Sequence, residues 1–234
     1  ITPRFVPSCT SELMTGLAKL AKEYDVPVQS HLSENHGEID WVASLHPESS
    51  NYTDVYYEHH LMGTVPTVMA HCIHLSDVEM DRMAETQTMV SHCPYSNVNL
   101  SSGIAPIRKL IERNIPIGLG SDISGGHIVS MAKVLTEAIG LSKMKWAEVD
   151  PNYAPLTLSE AFYMATKGGG QFFGHVGSFE KGYELDALII DDTSLFDPNE
   201  RSLEERLERW LYVGDDRHII ERYVAGRVVP SPKG

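Results

Sequence analysis

Long apolar runs are missing from this chain of 234 residues; none approaches the eighteen or so successive apolar residues that a membrane-spanning helix needs. A charged, then apolar, then small-residue leader is missing as well, the first residues being Ile1, Thr2 and Pro3. Basic charge is scarce. Nineteen Lys and Arg stand against 32 Asp and Glu, a formal net charge of −13, which repels phosphate backbones and argues against nucleic acid as a partner while leaving a free base open. Cysteine is scarce too: Cys9, Cys72 and Cys93 are odd in number and lie in apolar or strand-like surroundings, so reduced buried thiols are expected rather than a disulfide framework. The expectation is a cytoplasmic protein with no membrane partner. Two common motifs are also absent. The glycines at 118, 120 and 125 lack the spacing and the following acidic residue of a dinucleotide site, and no Gly-x-Ser-x-Gly elbow occurs.

What is present is a set of four short apolar runs, at 26–31, 67–71, 88–92 and 115–122, ending in His31, His71, His92 and Asp122. Runs of this length bounded by turn signals read as strands buried on both faces, and helical periodicity fills the gaps between them. Alternating strands and helices make a parallel α/β fold, and polar groups at successive strand ends of such a barrel converge on one mouth. Three His and an Asp there point to a metal-dependent hydrolase.

Several helices can be placed. Residues 10–24 carry Leu13, Leu17, Leu20 and Ala21 on one face with Thr10 as N-cap. Ser76 with Glu79 and Thr157 with Glu160 have capping-box spacing, opening helices at 77–85 and 161–166. Further helices are expected at 103–113 and 128–143. The glycines at 168–170 read as a helix end in close packing, not a phosphate cradle. After Gly174 short strands at 186–190, 222–224 and 227–229 suggest a β appendage, and the mixed charges at 200–209 a solvated helix face. The domains expected are thus a catalytic partial (β/α) barrel over 1–175 and a C-terminal β-strand appendage over 176–234.

A strand-end His taken singly is more commonly a hydrogen-bonded packing residue than a ligand; the set carries the inference. Glu34 follows His31 by three residues, where a loop can fold its carboxylate over the mouth as a proton carrier, against the duller reading of a surface Glu at a helix N-terminus. His74 reads as a surface residue, His59 and His60 as exposed. His92 reads as structural, and its neighbour Cys93 is a poor nucleophile because adjacent strand residues face opposite ways.

The segments Thr-Pro-Arg-Phe at 2–5, Ser-His-Leu-Ser-Glu-Asn at 30–35, Met-Ala-His at 69–71, His-Cys-Pro-Tyr-Ser-Asn at 92–97, Leu-Ser-Ser-Gly at 100–103 and Gly-Leu-Gly-Ser-Asp at 118–122 together resemble the deaminase branch of the amidohydrolase superfamily. The Arg4-Phe5 segment and Gly-Asp-Asp-Arg at 214–217 are most similar to its guanine-specific members. The resemblance implies a TIM-barrel-type hydrolase that converts guanine to xanthine and ammonia on one zinc, with iron as the alternative metal. It implies metal ligands at His31 and Asp122, with Asp122 also taking a proton from the attacking water. His71 would hydrogen-bond that water, Glu34 would shuttle the proton to the ring and the leaving amine, and Arg4 and Phe5, beside His31 and Glu34, would contact the purine. The chemistry agrees: an exocyclic amine leaves only with a hydroxide supplied and a proton delivered, and a guanidinium fork suits the acceptor pair O6 and N7 of guanine.

The superfamily's His-x-His ligand pair is absent from this sequence. The chain therefore resembles roughly the second half of such an enzyme, and a barrel needs ~250 residues. Either another chain supplies the remainder or the segment is a truncation, so a homo-oligomer or an association with the missing half is expected, with weak metal binding and little activity alone. Another deaminase or chlorohydrolase of the branch, acting on a cytosine, adenosine-type or triazine substrate, and a non-catalytic interaction module are the alternatives.

Overall fold

The computed structural model describes residues 1–230. In chain order its regular elements are α1 (Ser11–Tyr24), β1 (Val28–Leu32), α2 (His36–Leu45), α3 (Tyr52–Glu58), β2 (Thr67–His71), α4 (Asp77–Glu85), β3 (Met89–His92), α5 (Pro94–Asn99), α6 (Ile107–Glu112), β4 (Ile117–Leu119), α7 (Met131–Glu148), α8 (Leu158–Tyr163), β5 (Ala187–Ile190), α9 (Leu203–Val213), β6 (Ile219–Val224) and β7 (Arg227–Val228). Strands β1 to β4 form one parallel sheet in sequence order, with His31 opposite Ala70, Ala70 opposite Ser91 and His92 opposite Leu119. The fold is α/β, with four neighbouring strands of a parallel barrel. All four strands point the same way, so their C-terminal ends share one edge of the molecule.

The N-terminal segment adds to the outer edge of β1: Gln29 N–H donates to Ile1 C=O at 2.9 Å and His31 N–H to Arg4 C=O at 3.2 Å. That pairing brings Arg4 and Phe5 beside His31. At the other edge β4 meets a single π-helical turn, Met164–Gly168, that extends α8. A Cβ on Gly118 would lie 2.9 Å from the Gly169 Cα, and one on Gly168 2.9 Å from the Ile117 carbonyl oxygen. Close approach of two backbones is what these glycines permit.

The core sits between the sheet and its helices. Val28, Leu32, Met69 and Val90 are buried with Met14, Met80, Met83, Leu110 and Leu135 from the helices. Helix α1 turns a different stripe inward from the one its leucines suggest. Met14, Ala18 and Ala21 are buried, whereas Leu13 and Leu20 are 47% and 44% exposed. The two alanines let the helix axis approach the sheet, and the stripe at i, i+4 and i+7 follows that approach. Both capping boxes form, at Ser76–Glu79 and Thr157–Glu160. The helix expected from 103 begins only at Ile107, because Pro106 holds an extended turn in front of it.

The C-terminal sheet is antiparallel in the order β5, β6, β7, and the helix expected from the mixed charges at 200–209 is α9, which intervenes between β5 and β6 and packs on α7 through Trp210 and Leu211. Lys133 of α7 donates to the Leu211 and Tyr212 carbonyls at 3.2 and 2.9 Å, tying down the last turn of α9. Among the described residues no helix is long and apolar enough to cross a membrane.

Candidate active site at the strand ends

The chain leaves the ends of β1, β2 and β4 by a backbone turn that L-residues seldom adopt, through Ser33, His71 and Asp122. His71 has φ of 70° and Asp122 of 44°, both in the left-handed region. Such strain persists only where surrounding contacts over-determine it, and it concentrates at functional sites. Here it lets the chain break from the strand direction at the two points where His71 and Asp122 face each other. Gly125 completes the second turn; a Cβ there would come within 2.6 Å of Asp122 Oδ2.

His71 is the centre of the cluster. Its ring is 1% exposed and stacks on His31 of the neighbouring strand, centroids 5.3 Å apart at 28°. Nδ1 donates to Asn97 Oδ1 at 3.0 Å, which leaves Nε2 directed at the mouth. There Nε2 stands 3.6 Å from Glu34 Oε2 and 4.0 Å from Asp122 Oδ2. Those gaps are too long for direct hydrogen bonds and are spans that one small polar atom can bridge.

Glu34 reaches this point because its own backbone N–H donates to Glu38 Oε2 at 2.9 Å, while Asn35 caps α2 through Glu38 N–H at 2.9 Å. The carboxylate of Glu34 is thus not the helix cap; Asn35 is. Glu38 is buried and receives the Tyr52 hydroxyl at 2.8 Å, and burial, with the neighbouring Tyr56 and Glu38, pushes the Tyr52 phenol far above its usual range, so it stays a donor. The distal oxygen of Glu34 accepts from Ser102 Oγ at 2.9 Å.

His31 donates from Nδ1 to the Arg4 carbonyl at 2.6 Å, an arrangement that fixes the ring and leaves Nε2 as a donor atom for a metal. With the Asp122 carboxylate it gives one nitrogen and one oxygen ligand of the kind zinc and iron both accept. Among the described residues no group of three or more His, Cys, Asp or Glu is spaced to hold a metal ion. The donor chemistry fits a metal as two of its ligands, not as a full shell.

At the rim the Arg4 guanidinium carbon lies 5.2 Å from the Phe5 ring centroid, and Phe5 meets Trp41 edge to face at 6.1 Å. His92 is buried behind His71; burial first, and the His71 charge second, hold its imidazole down at about 3, so it packs as a neutral ring. Burial pushes the Cys93 thiol up to about 12, which removes it as a nucleophile.

His74, read from the sequence as a surface residue, is half-buried: its Nε2 donates to the Ser102 carbonyl at 2.8 Å and its ring stacks on His36 at 4.0 Å. His59 is likewise half-covered, with Nδ1 on the Val55 carbonyl at 2.7 Å. The site therefore brings together Glu34, His71, Asp122 and His31, with Arg4 and Phe5 alongside. Asn97, Ser102 and Trp41 were not singled out by residue chemistry, although Asn97 and Ser102 lie in the segments at 92–97 and 100–103 that carry the family resemblance.

The model of the amidohydrolase family matches residues 1–229. The chain belongs to the amidohydrolase family. Its relatives include the guanine deaminase of Dictyostelium discoideum, 44% identical over 98% of this chain and 52% of that protein, and that of Escherichia coli K12, 37% identical over 98% and 52%. Among solved structures, the guanine deaminase of C. acetobutylicum with guanine bound in its active site superposes with a TM-score of 0.94 at 54% identity, covering 97% of this amidohydrolase and 54% of that chain. The chain thus spans about half the length of the relatives it matches.

Proposed function

We propose that this site belongs to a guanine deaminase, which hydrolyses guanine to xanthine and ammonia and is completed by the half of the fold that the relatives have and this chain does not. The observation that carries the proposal is the convergence of Glu34 and Asp122 on His71 Nε2, at 3.6 and 4.0 Å, with Arg4 and Phe5 at the rim. Residues 1–175 would hold the catalytic part and 176–234 the appendage. Relatives at 37–44% identity bearing that name, and a solved structure holding guanine, support the substrate.

The metal, zinc by preference, would be held by His31 and Asp122 together with ligands from outside this chain. When bound, zinc supplies a hydroxide near neutral pH by lowering its water's pKa to about 7. The remaining work falls to side chains of this chain. Arg4 offers parallel N–H donors to O6 and N7 of guanine, where adenine would present an amine, and Phe5 gives the ring a stacking face. His71, with Nε2 unprotonated, accepts a hydrogen bond from the attacking water and orients it. Asp122 takes the proton released by that water. Glu34 carries that proton to the ring nitrogen next to C2 as the C–O bond forms; the second proton of the water, lost from the C2 hydroxyl to Asp122 as the carbonyl forms, passes by way of Glu34 to the exocyclic amine as the C–N bond breaks, and ammonia leaves. The Glu34 carboxylate is 18% exposed and faces His71 Nε2 at 3.6 Å, which supports that role.

Ammonia release from guanine, adenine, cytosine and s-triazines, measured on the full-length protein containing this chain, tests the reading. Guanine is expected to be strongly preferred. Preference for any of the other rings overturns it.

A further inference from the structure

The proton-handling carboxylate is gripped by a residue on a different loop. Ser102 is 6% exposed and donates from Oγ to Glu34 Oε1 at 2.9 Å, across 68 residues of sequence. A serine hydroxyl is an adjustable partner, so the grip has value only if the serine itself is fixed. It is fixed from three sides. Ser102 N–H donates to the Asn97 carbonyl at 2.8 Å, and the Ser102 carbonyl accepts from His74 Nε2 at 2.8 Å. Ser101 before it turns through the left-handed region at φ 57°, and Gly103 after it sits at φ 128°, where a Cβ would lie 3.1 Å from the Ile73 side chain and 3.3 Å from the His74 ring. Only glycine lets the backbone lie that close to His74.

The same turn holds His71. Asn97, whose carbonyl anchors Ser102, places its side-chain oxygen on His71 Nδ1 at 3.0 Å. Helix α5 and the turn that follows it thus clamp two groups that arrive from other strands: Glu34 from the loop after β1, and His71 from the end of β2. Their effect is to aim Glu34 Oε2 and His71 Nε2 at the same small space.

We propose that Ser102 is a positioning residue for the Glu34 proton shuttle, and that residues 97–103 set the relative geometry of Glu34 and His71. This rests on the deaminase reading given above. A carboxylate held at one oxygen keeps the other on the path between ring nitrogen and leaving amine, and loss of that hold costs rate through orientation. Binding should be spared, since Ser102 faces Glu34 and not the purine contacts.

The test is a double-mutant cycle in the full-length metal-loaded protein with Ser102→Ala, Glu34→Gln and the pair. Ser102→Ala is expected to lower kcat by about tenfold, the order expected from one lost hydrogen bond to a charged group, with KM within about twofold and the thermal midpoint and metal content unchanged. On the Glu34→Gln background it should cost nothing further, a coupling that a merely structural serine would not show. Unchanged kcat in Ser102→Ala, an additive cycle, or a fall in kcat matched by a lower thermal midpoint or lost metal overturns the proposal. If the wild-type protein releases ammonia from another ring and not from guanine, the substrate reading fails, and the cycle is read on that ring instead. Absence of any deaminase activity overturns both.

Discussion

The parallel sheet and the C-terminal sheet of this chain are built from similar residues and end up in different surroundings. The helix-facing side of strands β1 to β4 is covered, with Val28, Met69, Val90 and Ile117 each at most 4% exposed, while on the other side Gln29 is exposed and His31, Val68 and Ser91 are partly buried. In the antiparallel sheet Leu188, Ile220, Val224 and Val228 are 50 to 59% exposed. A parallel sheet obtains its cover from its own crossover helices, one per strand, so consecutive βα units bury themselves as the chain proceeds. An antiparallel sheet of three short strands has no such supply. Helix α9 faces it, and between them lies a cavity of about 240 Å³ lined by Leu188, Ile190, Leu203, Leu207 and Trp210. The strand-end site sits on the helix-covered sheet, where hydrogen bonds from Asn97 and Ser102 hold His71 and Glu34.

The largest effect that separates the two regions is on chemistry. Glu34→Gln in the full-length protein should lower turnover of guanine by two to four orders of magnitude, about the range for general acid and base work, with folding intact. Near wild-type turnover in a steady-state ammonia assay would leave Glu34 as a loop residue and detach the site from its rigid base.

On stability the contrast is direct. Met69, fully buried in β2, should cost about 2 to 5 kcal/mol when changed to Ala, read as a shift in urea unfolding. Leu188→Ala in this chain should cost ~0.5 kcal/mol or less, since half of its side chain already faces solvent. The same change in a longer protein that covers the appendage should cost more than about 1 kcal/mol. Equal effects of Leu188→Ala in both contexts would mean that nothing covers that sheet.

The same difference governs what could be read from the sequence. Short apolar runs bounded by turn residues mark β1 to β4, so the residues ending them stood out at His31, His71, His92 and Asp122, although the burial on both faces expected of such runs does not hold at Gln29, which is exposed. Capping boxes marked α4 and α8 because the reciprocal hydrogen bonds demand a fixed spacing. Helix α5 escaped notice: it has six residues and opens on Pro94 without a side-chain cap, so neither periodicity nor capping announces it. That omission hid Asn97 and Ser102, whose partners lie 26 and 68 residues away and whose role exists only once β1, β2 and the turn after β3 are side by side. The inward stripe of α1 was misjudged because periodicity counts apolar residues, whereas close approach to the sheet selects small ones.

Ion pairs give the smallest and finest test of the contrast. In the barrel part Arg108 grips Glu160 with two hydrogen bonds, at 2.7 and 2.9 Å, and donates besides to the Ala154 and Pro155 carbonyls, joining α6 to α8. The Arg108 hydrogen bonds are the chief reason why the Glu160 carboxyl titrates at about 2 instead of 4.5. A depressed carboxylate means that the folded state releases its proton more readily than the unfolded chain, so the stabilisation is complete above pH ~4.5 and disappears as pH falls through about 2. With side chains 16% and 31% exposed, solvent screening reduces the contribution to about 1 to 2 kcal/mol. Glu160→Gln should therefore lower stability by that amount at pH 7, and by progressively less as the buffer is taken from pH 4.5 down to 2. In the appendage Arg217 also makes paired contacts, to Asp215, and holds that carboxyl below the usual range, yet the Arg217 side chain is 84% exposed. Water competes for both partners there, so Arg217→Ala should leave the unfolding midpoint unchanged at pH 7. A measurable loss from Arg217→Ala, or a Glu160→Gln loss that does not shrink with acid, would erase the distinction between a self-covered barrel and an open appendage.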